Sequence, residues 1–518
     1  MTSNNQTKRA CNNQTKRACL IGQVYYANMG KFDYKNARTV NFFSMQAVSK
    51  LRYQNGDLKM QDTGPHGAYD IVVIGAGVIG CAVARRFSLE GARVLVLEKA
   101  PDILDGASKG NSAILHTGFD APEGSLELSC VQAGYREYEE IRAALNLPLD
   151  RCGALVLAWN QDQEDRLPEL MRQGLANGVD DLELLTRAET IALEPNLAPH
   201  LRAAFRVPRE SLIDPWSAPH AYLLQALLNG ADLRRNCGLT SALYDGACWR
   251  LETSQGAFKA KMAINAAGLY GDLVDEILMG KSTFRIRPRK GQFVVFDKTA
   301  SALVRHILLP VPTEKTKGIV VCRTVYGNLL VGPTAEDQEV RDNADLVPET
   351  LAELKQKGVG ILPALAKEDV TAVYAGLRPA CAEKEYQIAG HSAQMVITIG
   401  AIRSTGLSSA LGTAAHVFTI AQTMGFEKKP LDQPIVPVMP VLAEEGPRDW
   451  QQPGNRGIIC HCERVTRREL EQALEGPLAA NSIGGLKRRT RATMGRCQGF
   501  YCSGAVDACF REKREDTQ

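Results

Sequence analysis

The stretch YDIVVIGAGVIGCAVARRFSLEGARVLVLEKA, residues 69–100, decides the fold of this chain. An apolar run leads into Gly75, Gly77 and Gly80, and a second apolar run ends at Glu98. The first run predicts a strand buried on both faces, as in parallel sheets covered by helices. In the pattern G-x-G-x-x-G the first glycine allows a tight turn, the second lets backbone approach a pyrophosphate, and the third allows close helix packing. The stretch therefore predicts a strand–helix–strand dinucleotide site, with its acid placed to bind a ribose diol.

Four cysteines near the C-terminus form the second informative pattern. Cys460 and Cys462 are arranged C-x-C, and after 34 further residues Cys497 and Cys502 are arranged C-x-x-x-x-C. Thiolates are the soft ligands that iron–sulfur clusters select, and four of them complete a [2Fe–2S] centre. Zinc also accepts four cysteines, although its common spacing is C-x-x-C. The spacing therefore favours a [2Fe–2S] cluster and leaves a zinc site or uncoordinated thiols as alternatives.

Two segments around these cysteines resemble a known module. ICHCERVTRREL (459–470) and LKRRTRATMGRCQGFYC (486–502) are similar to bacterioferritin-associated ferredoxin. The same module ends several flavin dehydrogenases, including the large subunit of anaerobic glycerol-3-phosphate dehydrogenase. The resemblance implies that all four cysteines bind a [2Fe–2S] cluster, and that electrons leave the active site singly.

The glycine motif does not separate FAD from NAD, but three later segments resemble the flavin motifs of the D-amino-acid-oxidase superfamily. They are GASKGNSAILHTGFD (106–120), MAINAAGLYGD (262–272) and ITIGAIRSTGLSSALGTAAHV (397–417). The resemblance implies FAD as the cofactor, with Ser112, Gly268 and Gly406 among the residues that bind it. Gly406 is expected to begin a helix whose positive end faces the flavin edge that becomes negative on reduction.

Across 69–425 the chain resembles the flavin subunit of glycerol-3-phosphate or 2-hydroxyacid dehydrogenases. The segments RPRKGQFVVFDK (287–298), GNLLVGPTAED (327–337) and AGLRPA (375–380) carry this resemblance. The middle of the chain alternates β-rich runs with turns, which predicts an antiparallel sheet over the flavin. The expected fold class is α/β, with a Rossmann-type FAD-binding domain, an antiparallel β-rich substrate domain and a small C-terminal [2Fe–2S] domain.

Composition and motif positions predict the domain boundaries. The expected parts are a basic, disordered leader or extension (1–59), the FAD-dependent oxidoreductase domain (60–426), a proline-rich linker (427–456) and the [2Fe–2S] domain (457–510). Within the second part, the substrate subdomain takes about 150–205 and 280–370, and the FAD domain takes 60–150, 205–280 and 370–425. The first strand is expected at Tyr69, and the linker is expected to keep the cluster domain apart from the flavin.

The first 59 residues differ from the rest in composition. NNQTKRAC occurs twice, at 4–11 and 12–19, and ten Lys or Arg against two acids give a net charge of +8, whereas the whole chain carries +3. A basic, acid-poor segment is typical of an organellar transit peptide. A duplicated octapeptide of this kind shows no pattern expected of a packed helix or strand. We therefore favour a disordered or mis-assigned extension, with Met60 as the true start.

The remaining composition excludes several classes. With 45% apolar and 23% charged residues the chain can bury a large core. Its small net charge does not indicate nucleic-acid binding. The other cysteines are scattered, which favours free thiols in a reducing compartment. No apolar run is long enough to span a membrane. We expect a cytoplasmic protein, peripheral at the inner membrane at most, and organellar only if 1–59 is a transit peptide.

The resemblance also implies the residues that carry the chemistry. Arg378 matches the arginine that binds the substrate anion in glycerol-phosphate enzymes, and its guanidinium can grip phosphate or carboxylate with two donors. Arg403, in the last flavin motif, is a second substrate-binding candidate. Lys290 is either a further anion ligand or a solvated surface lysine. His116 matches the flavin-proximal histidine and is the candidate general base, because imidazole accepts protons near neutral pH; the alternative is that it only bonds the flavin.

Two function classes remain open from the sequence. The first is a dehydrogenase that passes electrons from a small anionic hydroxy substrate through FAD and [2Fe–2S] to a partner protein or quinone. An amino-acid substrate of the opine, proline or hydroxyproline type is the alternative within it. The second class is an electron-transfer subunit of a hetero-oligomeric complex, without its own substrate. The presence of both His116 and Arg378 favours the first class.

Overall fold

The computed structural model describes residues 38–41, 68–312 and 318–515. The strands, in chain order, are β1 (Arg38–Asn41), β2 (Tyr69–Ile74), β3 (Val94–Leu97), β4 (Ile114–Leu115), β5 (Leu149–Asp150), β6 (Ala154–Ala158), β7 (Glu183–Thr186), β8 (Ala203–Val207), β9 (Ser211–Ile213), β10 (Asp232–Arg234), β11 (Leu239–Tyr244), β12 (Trp249–Thr253), β13 (Gly256–Asn265), β14 (Arg287–Phe296), β15 (Ile307–Pro310), β16 (Val320–Arg323), β17 (Leu329–Gly332), β18 (Glu336–Asp337), β19 (Val370–Ala380), β20 (Gln387–His391), β21 (Val396–Gly400), β22 (Ile435–Val438), β23 (Ile458–Cys460) and β24 (Val465–Thr466).

The α-helices, in chain order, are α1 (Val78–Leu89), α2 (Leu126–Leu145), α3 (Gln161–Ala176), α4 (Arg187–Leu193), α5 (Ser217–Leu228), α6 (Gly271–Met279), α7 (Pro348–Ile361), α8 (Gly406–Thr423), α9 (Arg467–Ala473), α10 (Ile483–Thr490) and α11 (Ser503–Glu515). Short 3-10 helices add Ala107–Lys109, Gly268–Tyr270, Lys298–Leu303, Pro363–Lys367 and Asp449–Gln451. Among these described helices, none is both long and apolar enough to cross a membrane.

The first large sheet carries the glycine motif. Strands β10, β3, β2 and β13 lie side by side in parallel, and β21 adds a further parallel strand beside β13. The first half of β13 pairs antiparallel with β12, and β12 pairs antiparallel with β11. Strand β2 is buried from Asp70 to Ile74, as predicted for a strand covered on both faces, and α1 packs against α5 and α8.

The second large sheet has nine strands. Its order is β18-β14-β17-β16-β15-β6-β8-β7, with β19 also beside β14. Every pairing is antiparallel except that of β15 with β6, in agreement with the predicted antiparallel layer. The sequence places 370–380 in the FAD domain, but β19 belongs to this second sheet, because its register runs beside β14 from Ala380 opposite Arg287 to Val370 opposite Phe296.

The predicted cluster region folds around a core of its own. Strands β23 and β24 pair as a short antiparallel hairpin, and helix α9 contacts β24, α10 and α11. Its buried apolar residues include Val465, Leu470, Leu486 and Val506. All the buried residues of this core lie within 457–510, the range predicted for the cluster domain.

The cluster domain nevertheless packs directly on the flavin domain. Asp102 is fully buried and accepts hydrogen bonds from Arg489, between Nη2 and Oδ1 at 2.8 Å and between Nη1 and Oδ2 at 3.0 Å. The Arg491 guanidinium lies 3.8 Å from the ring centroid of Tyr326. The expected separation of the two domains by 427–456 is therefore wrong, because buried charges of the cluster domain find their partners in the flavin-binding body.

A strand also lies within the expected leader. Strand β1 pairs in parallel with β22, from Arg38 opposite Ile435 to Asn41 opposite Val438. The first described strand is thus at Arg38 rather than Tyr69, and the expected disorder is wrong for 38–41. The rest of residues 1–59, including the duplicated octapeptide, lies outside the described residues.

Candidate functional site

The glycine turn joins β2 to α1 with the geometry that the motif requires. Gly75 has φ of +105° and donates its N–H to the Leu97 carbonyl at 2.7 Å. A Cβ on Gly75 would lie 2.6 Å from the Ala266 oxygen, and a Cβ on Gly80 would overlap the Gly75 oxygen. Gly77 is the N-cap residue of α1 and brings no capping side chain. Ser108 Oγ accepts the N–H of Val78 at 3.0 Å, so a phosphate group at this helix end would bind beside that hydroxyl in the way this motif binds one.

Glu98 lies at the end of β3 beside this turn. Its Oε2 accepts the Ala76 N–H at 2.8 Å and its Oε1 accepts the Ala100 N–H at 2.8 Å. Burial raises the pKa of Glu98, against the lowering effect of those two N–H groups. Each carboxylate oxygen has a second lone pair, so Glu98 can still accept from a ribose hydroxyl. These residues fit the adenosine and pyrophosphate parts of FAD.

The loop expected along the flavin lies between the second sheet and helix α8. The Tyr374 hydroxyl donates to the Asn111 carbonyl at 2.8 Å, and a Cβ on Gly110 would meet the Gly376 Cα at 3.0 Å. On the other side, the His116 N–H donates to Ser408 Oγ at 2.9 Å, in the first turn of α8. The first and last flavin motif segments therefore meet here, and the middle one lies next to the last because β13 pairs with β21.

The remaining flavin candidates occupy three nearby positions. Ser112 lies half-buried in the same loop. Gly268, at φ of +55°, begins the turn after β13. Gly406 begins α8, as predicted, and its N-cap Thr405 makes no side-chain cap. Their roles toward FAD remain predictions.

His116 faces a carboxylate that sequence reasoning missed. Its Nδ1 lies 2.8 Å from Oε2 of Glu210, whose residue is fully buried. Oε1 of the same carboxylate accepts both the N–H of Thr117, at 2.7 Å, and its hydroxyl, at 2.9 Å. Glu210 sits in PRESLIDP (208–215), which matches no motif; the antiparallel pairing of 211–212 with 114–115 brings it to His116.

Arg378 lies on the face of β19 that contacts the flavin loop. Side chains alternate along a strand, so Tyr374, Gly376 and Arg378 share one face of β19, and the first two contact the loop at Asn111 and Gly110. The Arg378 guanidinium donates to the backbone oxygens of Thr334 (2.6 Å), Lys290 (3.3 Å) and Arg289 (3.4 Å).

The charge of Arg378 has no bonded counter-ion in the part of the chain that the structure describes: its hydrogen-bond partners are carbonyl groups, and no carboxylate there forms an ion pair with it. Burial, followed by the nearby charge of Arg289, lowers the pKa of Arg378 to about 10. The guanidinium remains a cation at neutral pH. A half-buried cation held by carbonyls can accept an anionic substrate without first breaking an internal ion pair.

The two weaker anion candidates are already paired. Lys290 is buried, lies 3.0 Å from Glu336, and donates to the Asp345 carbonyl at 3.1 Å. The alternative of a solvated surface lysine is therefore wrong. Arg403 donates to the Lys384 carbonyl at 2.5 Å and lies 3.7 Å from Glu127. Either side chain would have to leave a carboxylate in order to hold substrate.

The four predicted cluster cysteines form two contacting pairs. Cys462 contacts Cys497, and Cys460 contacts Cys502. No three His, Cys, Asp or Glu side chains gather around a single ion position within the described residues. Each iron of a [2Fe–2S] cluster takes two protein thiolates, because two bridging sulfides complete its four ligands. Two thiol pairs are thus the donor set that such a cluster needs.

Backbone N–H groups surround one of these sulfurs. The N–H groups of Tyr501, Gly499 and Phe500 bond to Cys497 and hold its pKa below the usual thiol range. Burial and the neighbouring Cys460 raise the pKa of Cys502 to about 11. A bound metal ion would offset the cost of ionising the Cys502 thiol, since a thiol that coordinates a metal is deprotonated. N–H donors to cluster sulfurs also set reduction potential, so the site fits a [2Fe–2S] group.

Comparison with known proteins agrees with both cofactor sites. The FAD dependent oxidoreductase family matches residues 70–419, and the BFD-like [2Fe-2S] binding domain matches 458–512. These matches confirm the predicted fold class and the predicted cofactors, FAD and a [2Fe–2S] cluster.

Individual proteins are similar along most of the chain. Glycerol 3-phosphate dehydrogenase of Caloramator mitchellensis is 32% identical over 454 residues, covering 85% of this chain and 93% of that one. One subunit of the anaerobic glycerol-3-phosphate dehydrogenase of Escherichia coli (strain K12) is 24% identical and covers 84% and 86%. The structure of L-alpha-glycerophosphate oxidase from Mycoplasma pneumoniae with FAD bound is 25% identical, with a TM-score of 0.66 over 73% of this chain and 100% of that one.

Proposed function

Since the chain belongs to the FAD dependent oxidoreductase family, we propose that it is a dehydrogenase that oxidises the secondary hydroxyl of glycerol 3-phosphate. Relatives named glycerol 3-phosphate dehydrogenase and oxidase support the substrate. The observation that carries the proposal is Arg378, a half-buried cation on the face of β19 that contacts the flavin loop.

Arg378 holds the phosphate in this proposal. Its guanidinium presents two donors in a plane, which matches two oxygens of a phosphate. The carbonyls that bind Arg378 fix its position before substrate arrives. The substrate charge then replaces the remaining solvent around this half-buried cation, so the anchor supplies binding energy at a non-reacting part of the substrate.

His116 takes the hydroxyl proton. Oxidation of an alcohol releases a hydride from carbon and a proton from oxygen, and bound FAD supplies the hydride acceptor. The imidazole of His116, held by Ser408 through its backbone and by Glu210 through its ring, accepts the proton as the carbonyl forms.

Electrons leave through the C-terminal domain in this proposal. Cys460, Cys462, Cys497 and Cys502 would hold a [2Fe–2S] centre, which would supply one-electron transfer, so that the two electrons of each turnover would leave in two steps to a partner protein or quinone. Similarity to a protein that is named as one subunit of an anaerobic dehydrogenase supports a partner protein. The close packing of the cluster domain, through Asp102 and Arg489, supports transfer within one chain.

Anaerobic reduction of the bound flavin tests the substrate. Purified protein is mixed with glycerol 3-phosphate, 2-hydroxyglutarate, lactate, proline or hydroxyproline, and the flavin absorbance is followed together with the electron paramagnetic resonance of the cluster. Glycerol 3-phosphate should bleach the flavin fastest, and the signal of a reduced [2Fe–2S] centre should follow. Faster reduction by proline or hydroxyproline would show that the substrate is an amino acid rather than a hydroxy compound. If none of the five compounds reduces the flavin, the chain is better explained as an electron-transfer subunit.

A further inference from the structure

We infer that Glu210 is the positioning residue of the active-site histidine: it fixes which ring nitrogen of His116 carries the proton, and so determines that the other nitrogen acts as the base. The inference rests on the proposed dehydrogenase function and adds a residue to it. Glu210 reaches this position through the fold, because β9 and β4 pair antiparallel with Ile114 opposite Leu212 and Leu115 opposite Ser211. One more step along that register sets His116 against Glu210.

The two oxygens of the Glu210 carboxylate have different hydrogen-bond partners. Oε1 accepts two hydrogen bonds from Thr117, one from the backbone N–H at 2.7 Å and one from the hydroxyl at 2.9 Å. Oε2 lies 2.8 Å from Nδ1 of His116. A carboxylate only accepts, so the neutral imidazole must place its hydrogen on Nδ1. Nε2 then carries the lone pair and is the atom that receives the substrate proton.

Glu210 also stabilises the charged product of that step. When Nε2 gains a proton, the imidazolium lies 2.8 Å from a carboxylate with no exposed surface. Opposite charges attract strongly in such a desolvated place. The same pair therefore orients the ring before proton transfer and offsets the charge after it, as a carboxylate does for the histidine of a catalytic triad.

The amide variant makes a sharp test, because the backbone of Thr117 controls which way it faces. In Glu210→Gln the amide oxygen is the group that can accept the Thr117 N–H. The amide NH2 is then directed at Nδ1 of His116, which must lose its hydrogen in order to accept. The imidazole hydrogen moves to Nε2, and the base is blocked while size and packing are almost unchanged.

A matched control exists elsewhere in the second sheet. Glu194 is also buried, and its Oε1 lies 2.7 Å from Nδ1 of His306 while accepting the backbone N–H groups of Arg305 and His306. Glu194→Gln therefore removes the charge from a buried histidine–carboxylate pair that the proposed reaction does not use, while its amide oxygen can still accept all three of these hydrogen bonds. It reports what such a change does through folding alone.

The experiment measures the tautomer and the kinetics separately in FAD-loaded protein. Histidine labelled with 15N gives the ring nitrogen shifts, and the His116→Asn spectrum assigns the signal of His116. Wild type should show hydrogen on Nδ1, and Glu210→Gln should show it on Nε2. Stopped-flow reduction by glycerol 3-phosphate should slow by about 10²–10⁴-fold in Glu210→Gln, with substrate Kd changed less than about threefold, and stay near wild type in Glu194→Gln.

Each outcome separates this inference from the proposed function. Hydrogen on Nε2 in the wild type, or an unchanged reduction rate in Glu210→Gln, would overturn the role of Glu210. Equal slowing in the two amide variants would also overturn it, because the effect would then be structural. If glycerol 3-phosphate does not reduce wild-type flavin, the proposed substrate fails, whereas the Nδ1 signal still supports or overturns the tautomer.

Discussion

Replacing Arg489 with alanine should detach the cluster domain from the flavin domain and loosen FAD. Arg489 and Asp102 are 8% and 0% exposed at their side chains and meet at 2.8 Å across the domain boundary. Asp102 also leads into a segment that supports the glycine turn, since the Leu104 N–H donates to the Ala76 carbonyl at 3.0 Å. The ion pair therefore connects the docking of one cofactor domain to the binding turn of the other.

The structure sets the size of the expected effect. Removing one partner of a buried ion pair costs about 3–5 kcal/mol, because the other charge stays buried. Asp102 would keep the N–H groups of Asn481, at 2.9 Å, and Ile103, at 2.8 Å, with Arg235 at 3.8 Å. These donors place the cost at the low end, about 3 kcal/mol, which moves the docking equilibrium by about 100-fold.

The pH dependence has a defined sign. Burial alone would raise the pKa of Asp102, but the charge and hydrogen bonds of Arg489 outweigh it and hold the pKa below 3.8. A depressed pKa in the folded state gives stability that is present above about 3.8 and lost as pH falls toward the folded value. The difference between wild type and Arg489→Ala should thus be complete at neutral pH and shrink below about pH 3.8.

Urea titration at neutral pH, followed by flavin fluorescence and by proteolysis of the C-terminal domain, measures this prediction. The matched control is Arg511→Ala, which removes an exposed pair with Asp507 in the same domain and should cost at most about 0.5 kcal/mol. Arg489→Ala should release FAD and the cluster domain at lower urea than this control. If both variants release FAD at the same urea concentration as wild type, the buried pair does not couple the domains.

Four further predictions concern single features. Arg378→Ala should raise the substrate Kd about 10–150-fold, as expected for hydrogen bonds to a charged group, and Lys should recover part of the loss; flavin titration measures both. His116→Ala should slow flavin reduction about 10²–10⁴-fold in stopped flow while leaving substrate Kd nearly unchanged. Wild type should contain about two iron and two sulfide per chain, and Cys497→Ser should lose both by elemental assay. Removing residues 1–41 should lower the thermal midpoint relative to removing 1–37, because only the longer deletion takes away β1; equal midpoints would mean that the β1–β22 pairing adds no stability.

Local patterns predicted the parts of the fold that depend on neighbours in sequence. The strand, turn and helix at 69–89 are specified by an apolar run and three glycines, a pattern that lies within the segment itself. The cofactor pair was also predictable, because thiol spacing and motif order reflect the chemistry of the bound groups. These features need no knowledge of which distant segments come together.

The residues missed by sequence reasoning act across long separations. Glu210 is 94 residues from His116, and Asp102 is 387 residues from Arg489. A single acid in a polar stretch has no pattern that distinguishes a buried positioning residue from a solvated one. The strand at 38–41 was missed for the same reason, since its partner at 435–438 lies almost at the other end of the chain.

The proline-rich segment explains why the expected linker was wrong. Proline opposes helix and favours extended backbone, and an extended chain can either hang free or lie along a surface. Here β22 pairs with β1, and Arg448 is buried and donates to the carbonyls of Leu442 and Glu463. Between β22 and Arg448, Glu444 bonds both Lys298 of the flavin-binding body and Arg464 of the cluster domain. The segment is therefore a strap whose side chains hold the two domains together, and proline content, which reports backbone conformation, carries no information about what those side chains touch.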